Sequence, residues 1–129
     1  MSKLFISYAH VDSQNVKKLL SKLKEVNISG WLDNADIASG VEISSVLKES
    51  LRNASAVLVL ISPASLRSQW VEFEVSAGQA IGKTIIPVII SGEGIENELP
   101  PSISDIAYID ARKMSLDEVV SEIKKLGNI

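Results

Sequence analysis

Hydrophobic positions along this chain recur in two alternating patterns. Leu4-Phe5-Ile6-Ser7-Tyr8, Ala56-Val57-Leu58-Val59-Leu60-Ile61 and Thr84–Ile90 are short apolar runs of strand length. The second is unbroken, as expected of a central strand buried on both faces. Between and after them the spacing turns helical. Val16, Leu19, Leu20 and Leu23 share one face, as do Ile43, Val46, Leu47, Leu51 and Ala54, and later Leu116, Val119, Val120 and Ile123. Gly30–Asp33 and Ala107–Ile109 read as two further short strands. Asp12 or Ser13 suits a helix N-cap, and Ser115-Leu116-Asp117-Glu118 matches a capping box. Asn27–Gly30, Asn34–Gly40, Gly82-Lys83 and Ser91–Ser104 punctuate the elements, the last stretch with room for a short helical turn. Pro87 lacks an amide donor and suggests an edge strand or a local bulge. Five strand–helix alternations predict an α/β, flavodoxin-like fold: a five-stranded parallel sheet with helices on both faces, in one domain over residues 1–129.

Everything else is arranged around residues 62–74, which follow the central strand and lead into a helix. Open α/β sheets bind ligands at that carboxyl edge. At about 100° per residue, Phe73, Ala77, Trp70, Ile81, Gly78 and Val71 form one apolar arc, with Glu72, Ser76 and Gln79 opposite. Glu74 falls inside the arc, one turn after Trp70. A carboxylate so placed caps free amides, pairs with a basic group, or opens onto a cavity where its charge has work to do.

Composition narrows the chemistry. The chain has 129 residues, 46% of them hydrophobic and 22% charged, which suffices for a core without staples. It has no cysteine and one histidine, His10, so thiolate chemistry and histidine-rich metal sites are excluded. A net charge of −3 argues against a nucleic-acid partner. Lys17, Lys18, Lys22 and Lys24 read as a solvated helix face, interrupted by Glu25. No segment has the length and apolarity of a membrane span or a signal peptide, so no membrane partner and a cytoplasmic location are the expectations. Tyr8-Ala9-His10-Val11-Asp12 holds no glycine-rich dinucleotide fingerprint, and no phosphate loop is present. The third strand ends in Ser62-Pro63, where a receiver domain would carry its phosphorylated aspartate.

Several of these stretches, taken in order, resemble a Toll/interleukin receptor-type (TIR) domain over essentially the whole chain. Phe5-Ile6-Ser7-Tyr8 with Asp12 is similar to the family's first-strand signature. Trp31-Leu32-Asp33 with Ile37 and Gly40 resembles its second strand and the BB loop that follows. Ser62-Pro63, Ser65, Ser68-x-Trp70 and Glu74 resemble its third segment. The resemblance implies one of two functions. Enzymatic members cleave NAD+ into nicotinamide and linear or cyclised ADP-ribose, often as prokaryotic defence effectors, and need no metal or further cofactor. In them Glu74 would be the catalytic residue, and Trp70, Trp31, Asp33 and Tyr8 would border the substrate. Scaffold members instead assemble with other TIR domains, here through Asp36, Ile37 and Gly40 of the BB loop. Enzymes of the animal type often carry a basic residue after the first-strand tyrosine; Ala9-His10 departs from this, leaving His10 and Arg67 as the basic groups open to a pyrophosphate. A module that binds ADP-ribose without cleaving it is the third reading.

Overall fold

The computed structural model describes residues 2–32, 49–67, 75–76 and 78–129. Five parallel strands, β1 (Ser2–Ser7), β2 (Ile28–Leu32), β3 (Ala56–Ile61), β4 (Ile85–Ile89) and β5 (Ile109–Asp110), form one sheet in the order β2-β1-β3-β4-β5. This is the flavodoxin-like order, as the alternation of elements predicts. The helices are α1 (Ser13–Glu25), α2 (Pro63–Leu66), α3 (Pro101–Ser104) and α4 (Leu116–Gly127), with further helical residues at 49–53, 75–76 and 78–80.

Alternation along the strands builds a core on each face. Leu4 and Ile6, Leu58 and Leu60, Ile86 and Val88 join Val16, Leu19 and Leu23 of α1 and Val119, Val120 and Ile123 of α4. Phe5, Val57, Val59, Ile61 and Ile89 point the other way, among Leu51, Val75, Ile95 and Ile103. All six residues of β3 are buried, which accounts for its unbroken apolar sequence. The capping box at Ser115 is formed: Glu118 N–H donates to Ser115 Oγ at 3.2 Å, and Ser115 N–H donates to Glu118 Oε1 at 3.1 Å.

Several sequence expectations need correction. Pro87 lies neither on an edge strand nor at a bulge. Its strand has neighbours on both sides, and it sits in regular register opposite Val59. Thr84 and Ile90 bond to β3, so the intervening odd positions turn their backbone groups away from it. On that side β5 pairs only with Val88 and Ile89, leaving the proline nitrogen no acceptor to satisfy. The second strand begins at Ile28 rather than Gly30, because Asn27, with φ of 63°, completes the reversal after α1 on its own. Gly30 belongs to the strand, where a Cβ would lie 2.6 Å from side-chain carbons of both Ile6 and Leu20. The last strand is Ile109–Asp110, shifted from Ala107–Ile109. Ile81 is exposed, whereas Val75, just outside the inferred apolar arc, is buried beside Gly78. The helix ends before Ile81, where Gly82 takes a φ of 76° and its N–H bonds to Gln79 O.

Candidate functional site

The strand order reverses between β1 and β3, and the loops leaving their carboxyl ends form the crevice where such sheets take ligands. Ser7, the last residue of β1, is fully buried opposite Val59. Tyr8 and Ala9 follow, then a single 3-10 turn, His10–Asp12, closed by Asp12 N–H donating to Ala9 O at 2.9 Å. On the other side Ser62 ends β3 in extended conformation and caps α2. Its Oγ accepts from Ser65 N–H at 3.1 Å, and its own N–H donates to Ser65 Oγ at 2.8 Å. Pro63 suits the first helical position, where no amide partner is needed.

A hydrogen bond joins the two loops. Ser62 Oγ donates to Asp12 Oδ2 at 2.5 Å, across fifty residues of sequence. Asp12 is the N-cap residue of α1, as expected, but its side chain makes no cap bond. Its carboxylate serves the switch point instead. A charged acceptor strengthens the bond, and Ser62 Oγ meets both its donor and its acceptor roles while buried.

Farther along the same edge, Arg112 ties the end of β5 to the loop after β4. Its Nε and Nη2 donate to the two carboxylate oxygens of Asp110 at 2.8 and 2.7 Å. Nη2 also donates to Glu96 Oε2 at 2.8 Å, and Nη1 donates to Gly92 O at 2.6 Å. The guanidinium hydrogen bond holds the Glu96 and Asp110 carboxyls below their ordinary values, and the two carboxylates together push Arg112 further up.

The residues singled out from sequence fall unevenly with respect to this frame. Tyr8 stands at the carboxyl edge, half-buried, its ring packed against the core beneath α1 and α4 rather than the core containing Val75. Trp31 belongs to β2, its backbone paired with Phe5; only its backbone is described. His10 and Arg67 are exposed at the crevice loops. Asp33, Asp36, Ile37, Gly40, Trp70 and Glu74 lie outside the described residues. Val75, next to Glu74, is buried in the same core as Phe5 and Ile61. Among the described residues, no three acidic or histidine side chains are grouped to hold a metal ion, and no helix is long and apolar enough to cross a membrane. Sequence reasoning missed the Asp12–Ser62 tie and the Arg112 cluster. Ser62 followed by Ser65 was a legible capping signal, but nothing local marked Arg112.

The family model for the TIR domain matches residues 4–126. The chain belongs to the TIR-domain family. This TIR domain is 26% identical over 129 residues to "Stimulator of interferon genes protein" of Magallana gigas, covering 94% of this chain and 31% of that protein. It is 27% identical over 130 residues to "2' cyclic ADP-D-ribose synthase BtTIR" of Bacteroides thetaiotaomicron, covering 95% of this chain and 45% of that protein. It thus spans less than half the length of either relative. In three dimensions it superposes on the TIR domain of the Toll-related receptor TRR-2 from Hydra magnipapillata with a TM-score of 0.75. That match is at 18% identity and covers 95% of this chain and 96% of the other, which establishes the fold.

Proposed function

We propose that this TIR domain cleaves the nicotinamide–ribose bond of NAD+, releasing nicotinamide and linear or cyclised ADP-ribose, with Glu74 as the catalytic residue. The observation that carries the reading is positional. In the sequence Trp70-x-x-x-Glu74 comes shortly after β3 and α2, whose capped start Ser62 ties to Asp12 at the switch point, and the chain is related to a cyclic ADP-ribose synthase.

The chemistry suits a lone carboxylate. Nicotinamide in NAD+ is already cationic and departs neutral, so no general acid is required. Positive charge develops on the ribose instead, and a carboxylate shielded from bulk water stabilises it more strongly than one in water. Bonds from that carboxylate to ribose hydroxyls would hold the sugar in a reactive geometry. Trp31 would stack on a flat ring, with Tyr8, Asp33 and Trp70 bordering the substrate. Water, or a nucleophile of the same molecule, then captures the ribose. Neither metal nor further cofactor enters these steps. Self-association through Asp36, Ile37 and Gly40, and a role as a cytoplasmic antiviral defence effector, belong to the same proposal.

The test is nicotinamide release from NAD+ by wild type and by Glu74→Ala and Glu74→Gln, followed over a series of protein concentrations. The expected outcome is turnover by wild type and a loss of at least about a hundredfold in both variants, the scale of removing a principal electrostatic group. Equal turnover by wild type and Glu74→Gln would remove Glu74 from its role, and nicotinamide release no faster than without protein would sink the enzyme reading. The domain would then stand as an assembly module, for which Ile37 and Gly40 substitutions, but not Glu74→Gln, abolish self-association. Chromatography against linear and cyclised ADP-ribose standards identifies the product.

A further inference from the structure

Arg112 lies at the far end of the sheet from β2, yet its contacts run toward the switch point. The Gly92 carbonyl it holds belongs to the loop after β4, and Gly92 has φ of 109°. A Cβ there would lie 3.2 Å from Pro63 Cδ and 3.0 Å from Ile95 Cδ1, so Gly92 lies close to the first residue of α2 with no room for a side chain between them. Pro63 is joined to Ser62, which caps α2 and donates to Asp12. In the same loop Ile95 is fully buried and shares its core with Val75, the neighbour of Glu74. Glu96, two residues past Gly94, is gripped by the same guanidinium.

The path therefore runs from Asp110 and Glu96 through Arg112 to Gly92, on to Pro63, and across Ser62 to Asp12. The hydrogen bonds of Arg112 to Gly92 and Glu96 and of Ser62 to Asp12 join segments distant in sequence, and the close approach of Gly92 to Pro63 links the two sets. The loop has two glycines at positive φ, Gly92 and Gly94, so its own backbone preferences hold it weakly. A planar guanidinium meeting two carboxylates and a carbonyl supplies what the loop lacks, and a lysine could not make that set of bonds.

We infer that Arg112 is a positioning residue for the candidate site, pinning the loop after β4 against Pro63 so that the capped start of α2 keeps its bond to Asp12. This rests on the proposed NAD+ cleavage only for its effect on rate; the effect on the loop stands without it.

The experiment compares wild type with Arg112→Ala, Arg112→Lys and Gly92→Ala. Hydrogen–deuterium exchange is read for amides of residues 62–67 and 92–97 and, as controls, of β1 and β3, alongside steady-state nicotinamide release. Arg112→Ala should speed exchange at both 92–97 and 62–67 by about tenfold, with the strands unchanged, and lower kcat on the same order with little change in KM. Arg112→Lys should recover part of both effects, and Gly92→Ala should reproduce the exchange at 62–67 with Arg112 intact. If Arg112→Ala does not fold, Arg112→Lys and Gly92→Ala decide the matter by the same readouts. Faster exchange confined to 92–97, with 62–67 at the wild-type rate, would overturn the inference. If wild type releases no nicotinamide the proposed reaction fails, while the exchange data still decide whether Arg112 supports α2.

Discussion

Ser62 serves several partners at once at the switch point. It caps α2, closes a reciprocal pair with Ser65 and donates to Asp12, all while 1% exposed. Removing its hydroxyl leaves the Ser65 amide without its acceptor and the Asp12 carboxylate without its donor. Ser62→Ala should therefore cost about 1–2 kcal/mol, above an ordinary exposed cap, as read by urea denaturation. Ser62→Thr should retain most of that. Gly92 is a second sensitive position, for a conformational reason. A residue with a Cβ is strained at φ of 109° and would also crowd Ile95 and Pro63. Gly92→Ala should destabilise by about 1–3 kcal/mol by the same measurement. Gly82 has a comparable φ but open space where its Cβ would be, so Gly82→Ala should cost about 1 kcal/mol or less.

Among the elements, the loop after β4 is held electrostatically, and this sets a pH dependence. Asp110 and Glu96 have carboxyls lowered chiefly by their hydrogen bonds to Arg112, with Lys113 acting in the same direction on Asp110. A carboxyl lowered on folding contributes its stability above the ordinary carboxylate range, about pH 4, and loses it as pH falls through the folded value. The stability gap between wild type and Arg112→Ala should therefore be full at pH 7 and shrink progressively below about pH 4, as followed by thermal melts across pH. A gap that did not change down to pH 2 would show that the two carboxylates contribute nothing to it, leaving packing and the bond to the Gly92 carbonyl. The helical face after residue 74 is also decided at this scale. Periodicity drew an arc through Ile81, yet the described helical residues bury Val75 and Gly78 and expose Gln79 and Ala80. A helical wheel assumes that the helix continues, and here Gly82 ends it first.

On the scale of the whole molecule, the proposal sets the reaction at the carboxyl edge of a five-stranded parallel sheet. If the active site is completed by a neighbouring copy, nicotinamide release per milligram should rise with protein concentration, and Ile37 and Gly40 variants should flatten that rise. A specific activity constant over a hundredfold dilution would instead assign the whole site to one protomer.

Much of this architecture is written in short-range sequence, because hydrophobic spacing, capping residues and left-handed glycines act within a few residues of each other. Hence β3, α1, α4, the Ser115 capping box and the Gly82 reversal were all legible, and so was the number of strands. The linkages of the carboxyl edge were not. Chain neighbours mark Asp12 as the N-cap it is but not as the acceptor of Ser62, and they make Pro87 look like an edge residue. Their partners are set by which strands lie side by side: Ser62 reaches Asp12 because β1 and β3 are adjacent, and Pro87 is tolerated because β5 is short. Arg112 meets Gly92 and Glu96 for the same reason, through the pairing of β4 with β5. Periodicity records whether a side chain faces the core. It carries no record of which distant backbone will pack beside it, and that is settled only when the sheet assembles.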